Sequence, residues 1–248
     1  MKAKASPQIQ ELVSKSSLIF SGTVIALGAS SVANLAPRNN FILARIDGPL
    51  KSDPALGNLR GKLVTVELLD TCEIQVPSRL IFFTQDWIHG GGIAAREVAH
   101  VGVESKKVVR AEVERLPERQ LAERLADAVY IVLAEVVRIE PTPFDIRWRH
   151  SPQWATAPLK ILKTLRGQPT QDITVLVPTV QWPIWARAPR LKARQRAIFL
   201  LRRPPDWTVP PESKEKFISA FTALNSDDVQ PESRLALIEK LLSRRGSQ

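Results

Sequence analysis

The sequence predicts a mainly β protein with flanking helices: two tandem small antiparallel β-barrels from an internal duplication, followed by a C-terminal helical hairpin. Three observations lead to this prediction. Short apolar runs alternate with Gly, Pro and Asp clusters, strand-like runs recur in the same order in both halves, and the chain after Trp207 changes to helical periodicity. The predicted domains are residues 1–110, 111–209 and 210–248.

A short helix is predicted to open each half. Pro7 and Pro117 stand at the first turn, where the N–H that proline lacks has no partner to lose. Apolar residues follow at helical spacing: Ile9, Leu12 and Val13 in the first helix, and Leu121 and Leu125 in the second.

The strand-like runs after these helices match one another in order. Each opening run has a small residue near its middle, Gly22 or Ala134. The matched runs are Ser17–Leu27 with Val129–Ile139, Arg45–Ser52 with Lys160–Gly167, Lys62–Leu69 with Asp172–Pro178, and Arg79–Phe83 with Arg196–Leu200. Both series then reach Asp-Trp, at residues 86–87 and 206–207. Such ordered self-similarity indicates a tandem repeat.

The opening helix and strand, the turn after the second matched run and the late I-F-F or I-F-L strand resemble oligonucleotide/oligosaccharide-binding (OB) type barrels of the netrin and metalloprotease-inhibitor kind. The resemblance covers about two thirds of the chain. Proteins of that kind carry N-terminal cysteines, and the protease inhibitors among them use the first cysteine as a ligand to the metal ion of the protease. Ser6 and Leu116 stand near those positions here, so the resemblance does not imply protease inhibition.

Residues 1–33 could be taken for a secretory signal, because Leu18–Leu27 is apolar and Ser31–Ala33 resembles a cleavage site. The matching run Val129–Ile139 lies in mid-chain, however, so the first run is interpreted as a barrel strand. Cys72 is the single cysteine and excludes an intrachain disulfide. We therefore expect a cytoplasmic protein with no transmembrane segment.

The region after Trp207 is predicted to form two helices. Pro231 stands where the second would begin. The apolar faces are Phe217, Ile218, Phe221 and Leu224 in the first helix, and Leu235, Ile238, Leu241 and Leu242 in the second.

The stretch D-W-I-H-G-G-G-I-A, Asp86–Ala94, resembles the oxyanion-hole loop of lipases. The chain has no G-x-S-x-G nucleophile motif, and Gly90–Gly92 fall where a hairpin would turn. The spacing of Asp70, Cys72, Glu73 and His89 fits no zinc pattern. We therefore predict no catalytic residue, no metal and no cofactor, and classify the protein as not an enzyme.

Charge is the most informative functional feature. The net charge is +10, and the segment Arg147–Arg203 alone holds twelve basic residues against one acid, Asp172. Four of the six tryptophans lie in the same segment. The candidate binding residues are Arg147, Trp148, Arg149, Trp154, Trp182, Trp185, Arg187, Arg190, Lys192, Arg194 and Arg196. Whether these tryptophans are core or exposed is left open.

Cations interleaved with tryptophan suit protein–protein contacts and single-stranded nucleic acid alike. The predicted function is a non-catalytic interaction or scaffolding protein whose second barrel presents this surface to an acidic protein partner. Single-stranded nucleic-acid binding is the alternative, and an enzyme with a cleft between the barrels is a third. Whether the protein forms a homo-oligomer is left open.

Overall fold

The structure is a computed structural model that describes residues 7–70, 74–89, 92–142, 154–168, 173–179, 187–203 and 220–245. It divides into two compact units, a first module (Met1–Glu118) and a second module (Arg119–Gln248). The predicted division lay between residues 110 and 111. The C-terminal residues, predicted as a third domain, fall within the second module. Each module is a barrel-like sheet with flanking helices, which confirms the predicted fold class.

The first module is a closed five-stranded barrel in the order β1-β2-β3-β5-β4. Strands β3 and β5 are parallel, whereas the other neighbours are antiparallel. Its elements are α1 (Pro7–Lys15), β1 (Leu18–Leu27), β2 (Phe41–Lys51), β3 (Leu63–Glu67), β4 (Ser78–His89) and β5 (Gly92–Gly102).

Strand β1 shows why the chain folds this way. Alternate side chains of a strand point to opposite faces, and both faces of β1 are covered. Phe20 enters the barrel interior, where it stacks on Phe82 at 5.2 Å between ring centroids. Ile19 points outward and packs with Val13 of α1. The apolar run Leu18–Leu27 is therefore a barrel strand, as predicted.

The second module is a curled sheet in the order β11-β9-β8-β6-β10-β12, with β7 also paired to β8. The backbones of Arg202 and Thr222 exchange hydrogen bonds of 3.2 and 2.9 Å, which joins β11 to the end of β10. Its strands are β6 (Tyr130–Val136), β7 (Glu140–Pro141), β8 (Trp154–Arg166), β9 (Ile173–Pro178), β10 (Arg196–Leu201), β11 (Phe221–Thr222) and β12 (Val229–Gln230).

The two modules share strand order and register, as a duplication requires. β11 runs parallel to β9, as β5 does to β3. The β1–β2 pair has register shifts after Ile19 and Ser21, and the β6–β8 pair has them after the matching residues Ile131 and Leu133. Matched cross-strand pairs are Phe20–Pro49 with Val132–Thr164 and Gly22–Ile46 with Ala134–Ile161.

One long helix, α2 (Lys106–Asp127), spans the division between the modules. The prediction that Pro117 opens a helix is wrong, because Pro117 lies in the interior of α2. The residues before it are held in a helix by packing: Val109 and Leu116 are buried in an apolar cluster of the first module. Leu121 and Leu125 lie in a cluster of the second module.

The C-terminal region departs from the predicted hairpin. Its second helix is confirmed as α3 (Leu235–Arg245). Of the predicted first helix, Phe217 and Ile218 lie outside the described residues, and Phe221 belongs to β11. Helix there is wrong because Phe221 is buried in the barrel core, edge-on to Tyr130, and its strand pairs with β9. These long-range contacts override the local helical spacing.

Helix α3 corresponds to the first half of α2. Each follows a 3-10 turn, Val103–Ser105 or Glu232–Arg234, directly after the last strand of its module. Val109 and Ile238 occupy the same position in the two helices, and both are fully buried. The repeated unit is therefore a helix, a barrel and a second helix, and α2 joins the closing helix of one unit to the opening helix of the next.

Candidate binding site at one end of the second module

Two connections of the second module leave and re-enter the sheet at the same end. One runs from the end of β6 to the start of β8 (residues 137–153), and the other from the end of β9 to the start of β10 (residues 179–195). Register places these strand ends side by side: Val136 lies opposite Leu159, Trp154 opposite Pro178, and Glu135 opposite Arg196. We call this the basic end of the second module.

The two connections hold seven basic and two acidic residues, a net charge of +5, and three of the six tryptophans. Ten of the eleven predicted binding residues lie in these connections or at the first residue of β8, and Arg196 opens β10. Two segments that are distant in sequence are thus anchored at one place. Arg147, Trp148, Arg149, Trp182 and Trp185 lie outside the described residues.

Trp154 does not lie on the exposed surface. It is only 5% exposed and packs with Leu176 and Ala220 on the outer face of the sheet. The prediction that it belongs to the binding surface is therefore corrected: this indole is a packing residue. The physical reason is its position as the first residue of β8, paired with Pro178 in the sheet.

Four predicted cations, Arg187, Arg190, Lys192 and Arg194, are exposed. Within the described part of the chain, no carboxylate lies within ion-pair distance of any of them. Arg196 is also exposed, but its Nε donates to the Glu135 carboxylate at 3.0 Å. The described cations of the basic end are therefore largely uncompensated, which favours an anionic ligand.

The segment that carries these cations is fixed by alternate burial. Pro189 and Leu191 are buried, whereas Arg190 and Lys192 between and after them are exposed. The Ser226 N–H donates to the Arg187 carbonyl at 2.6 Å. The apolar residues therefore anchor the backbone, and the charged side chains remain available to solvent.

Arg194 occupies a turn that fixes it beside the end of β6. Its N–H donates to the Val136 carbonyl at 2.7 Å, and the Gln195 N–H donates to the Lys192 carbonyl at 3.1 Å. Arg194 has φ of 63°, in the left-handed region that non-glycine residues seldom adopt. The turn brings a cation to the strand end at the cost of some backbone strain.

Three exposed residues at this end were missed by the sequence analysis. Val137 and Ile139 follow β6 and are 47% and 36% exposed. Lys160 of β8 is exposed opposite Glu135. The alternation of buried and polar residues could have indicated Lys160. Nothing local distinguishes Val137 and Ile139 from the buried residues of the same apolar run.

The predicted hairpin of the first module is confirmed on both sides of its glycines. Strands β4 and β5 are antiparallel up to the pair His89–Gly92, whereas Gly90 and Gly91 lie outside the described residues. Cys72 and Glu73 lie outside them as well.

No protein-family model matches this chain, and a search of curated proteins finds no match. Within the part of the chain that the structure describes, no helix is both long enough and apolar enough to span a membrane.

Proposed function

We propose that this chain is a non-catalytic interaction protein whose second module binds an acidic protein partner at its basic end. The observation that carries the proposal is that the described parts of two connections, residues 137–142 and 187–195, bring five basic residues and one acidic residue to one end of one barrel. The described part of this surface is supplied by four exposed cations that have no carboxylate within ion-pair distance among the described residues: Arg187, Arg190, Lys192 and Arg194. Arginine dominates, and its planar fork pairs well with carboxylates.

We also propose that both modules are OB-type barrels. The closure β1-β2-β3-β5-β4 with a parallel β3–β5 pair supports this assignment, as does the shared register of the second module. OB-type barrels bind ligands on the face of their second and third strands and at neighbouring loops. A cytoplasmic location is proposed with it, supported by the single cysteine and by the folding of Leu18–Leu27 as strand β1.

In the first module, the chain itself covers the face of β3 that corresponds to such a ligand site. The connection from β1 to β2 folds over it: the Ser31 N–H donates to the Thr65 hydroxyl at 2.9 Å, and Val32 and Leu35 pack on Phe41 and Ala94. In the second module Trp154 and Ala220 likewise cover Leu176 on the outer face of β9, so the assignment of ligand binding to the second module rests on its charge.

The second candidate function is single-stranded nucleic-acid binding at the same end. It is favoured by the three tryptophans of the basic connections, Trp148, Trp182 and Trp185, because bases stack on aromatic rings while cations follow the phosphates. The two candidate functions use the same cations, but one binds an acidic protein and the other binds single-stranded nucleic acid.

The test is fluorescence-anisotropy binding of the full chain to labelled poly-glutamate and to a labelled single-stranded oligonucleotide, titrated across salt. We expect salt-dependent binding to poly-glutamate that exceeds binding to the oligonucleotide. The triple variant Arg187→Ser, Arg190→Ser, Arg194→Ser should weaken it by at least about tenfold. The charge-matched control is Arg45→Ser, Arg60→Ser, Lys62→Ser in the first module, three exposed cations outside the basic end.

Equal loss in both variants would show that net charge alone drives binding and would refute a site at the basic end. Tighter oligonucleotide binding, with a salt slope reflecting several released counterions, would replace the first candidate with the second.

A further inference from the structure

A pair of exposed aliphatic residues lies beside the cations of the basic end. Arg138 and Glu140 form an ion pair of 2.6 Å, which places these two side chains on one face of the chain. In an extended chain successive side chains alternate between two faces, so Val137 and Ile139 share the opposite face. Both are exposed large hydrophobic residues.

Cations surround this pair. In the sheet register Glu135 lies between Lys160 and Arg196, and within the described residues its carboxylate pairs with Arg196 alone. The Arg194 N–H donates to the carbonyl of Val136, the neighbour of Val137. Among the described residues, Glu135 thus lies between two cations in the sheet, and a third cation, Arg194, is anchored next to it by its backbone. We call Val137, Ile139, Lys160, Arg194 and Arg196 the apolar–basic patch.

The first module has the same aliphatic pair with two matching cations, because Arg45 and Arg79 correspond to Lys160 and Arg196 in the strand register. Ile25 and Leu27, at the end of β1, match Val137 and Ile139 and are 39% and 54% exposed. Asp47 pairs with Arg79 beside them. The residues before β4, Val76 and Pro77, are uncharged where the second module has Arg194. The chain therefore contains a matched apolar pair in a different electrostatic setting.

We infer that the segment bound at the basic end is an acidic protein segment whose carboxylates are interspersed with apolar side chains. The inference rests on the proposed function and specifies its ligand. Lys160, Arg194 and Arg196 outnumber the Glu135 carboxylate among the described residues here, which favours an anionic ligand. The aliphatic pair gains affinity only from apolar side chains that cover it. A nucleic acid would use the cations but would find no ring to stack on at Val137 and Ile139.

The experiment compares two labelled peptides of equal length and charge, one of alternating Glu and Val, the other of alternating Glu and Ser. Anisotropy titrations use the full chain, the double variant Val137→Ser, Ile139→Ser, and the matched control Ile25→Ser, Leu27→Ser. We expect the Glu–Val peptide to bind the unmodified chain about tenfold more tightly than the Glu–Ser peptide. The difference should vanish in the first double variant and persist in the second.

The outcomes separate the two proposals. Binding of both peptides with equal affinity, unchanged by Val137→Ser, Ile139→Ser, would overturn this inference and leave the acidic-partner proposal standing. Binding of neither peptide would overturn both. If both double variants lost the preference for the Glu–Val peptide, the apolar contact would not be specific to the second module. That result would also overturn the inference. Because all four positions are exposed, serine there should leave the fold intact, which circular dichroism checks.

Discussion

The two modules of this protein have the same framework and different ends. Their strand order, register shifts and flanking helices correspond, and Lys51 and Arg166 play the same part in each. Lys51 donates to the carbonyls of Val13 and Ser16 at the end of α1, and Arg166 donates to those of Leu125 and Ala126 at the end of α2. These features form the framework that the two modules have in common.

The connections at the equivalent end of the first module, residues 28–40 and 68–77, hold one basic and two acidic residues, a net charge of −1. Those of the second module hold a net charge of +5 and three tryptophans. Connections run over the surface and tolerate sequence change better than the strands that they join. The comparison teaches that the same barrel framework occurs twice, whereas the connections determine which copy carries the excess of positive charge at this end.

The largest expected effect tests the shared framework. Phe82 and Phe199 occupy matching strands and are both fully buried in barrel interiors. Phe82→Ala and Phe199→Ala should each lower the free energy of opening of their own barrel by about 3–5 kcal/mol, through lost burial and a residual cavity. Hydrogen exchange of β1 and β6 amides measures both. A loss below about 1 kcal/mol in one module alone would break the equivalence.

A second prediction tests the self-coverage of the first module. A Cβ at Gly92 would meet the Val32 side chain at 2.7 Å. Gly92→Ala should therefore destabilise the packed connection by about 1–3 kcal/mol and raise the hydrogen-exchange rate of the Ser31 amide. Adding Val32→Ala should restore stability in part. No effect of Gly92→Ala would mean that the connection does not rest on β5.

A third prediction concerns the matched helix caps. Lys51→Ala and Arg166→Ala each remove charged donors from carbonyls at a helix end, where a cation is favourable, and each should cost about 1–2 kcal/mol. Hydrogen exchange of the amides in α1 and in the last turns of α2 measures these losses of stability. Arg166→Lys, which copies the first module, should recover most of the loss; a failure to recover would show that the two caps are not interchangeable.

The smallest expected change in stability comes from moving one carboxylate from strand β2 to the neighbouring strand β1. Arg79 pairs with Asp47 of β2, whereas the matching Arg196 pairs with Glu135 of β6. Because exposed ion pairs contribute roughly 0–1 kcal/mol, the double variant Thr23→Glu, Asp47→Leu, which copies the second arrangement into the first module, should change stability by less than about 0.5 kcal/mol. Urea denaturation compares it with Asp47→Leu alone, which should be the less stable of the two.

Much of this architecture could be predicted from the sequence, because strand alternation and ordered self-similarity are properties of the chain itself. Leu18–Leu27 and Val129–Ile139 indicated matching strands by their residues alone, and Pro231 marked the approach to α3. The high density of basic residues between Arg147 and Arg203 could likewise be counted directly in the sequence. These features need no knowledge of what lies opposite them.

Other features were decided by contacts between distant residues. Phe221 has helical spacing but belongs to a strand, because β9 and Arg202 satisfy its neighbouring backbone groups. Trp154 is buried and Val137 exposed because of which sheet face and which strand end each occupies. The sequence alone determined the repeats, the strands and the sign of the charge. Only the tertiary structure decided which connections share an end and which side chains face solvent there, because strand pairing and burial depend on partners far along the chain.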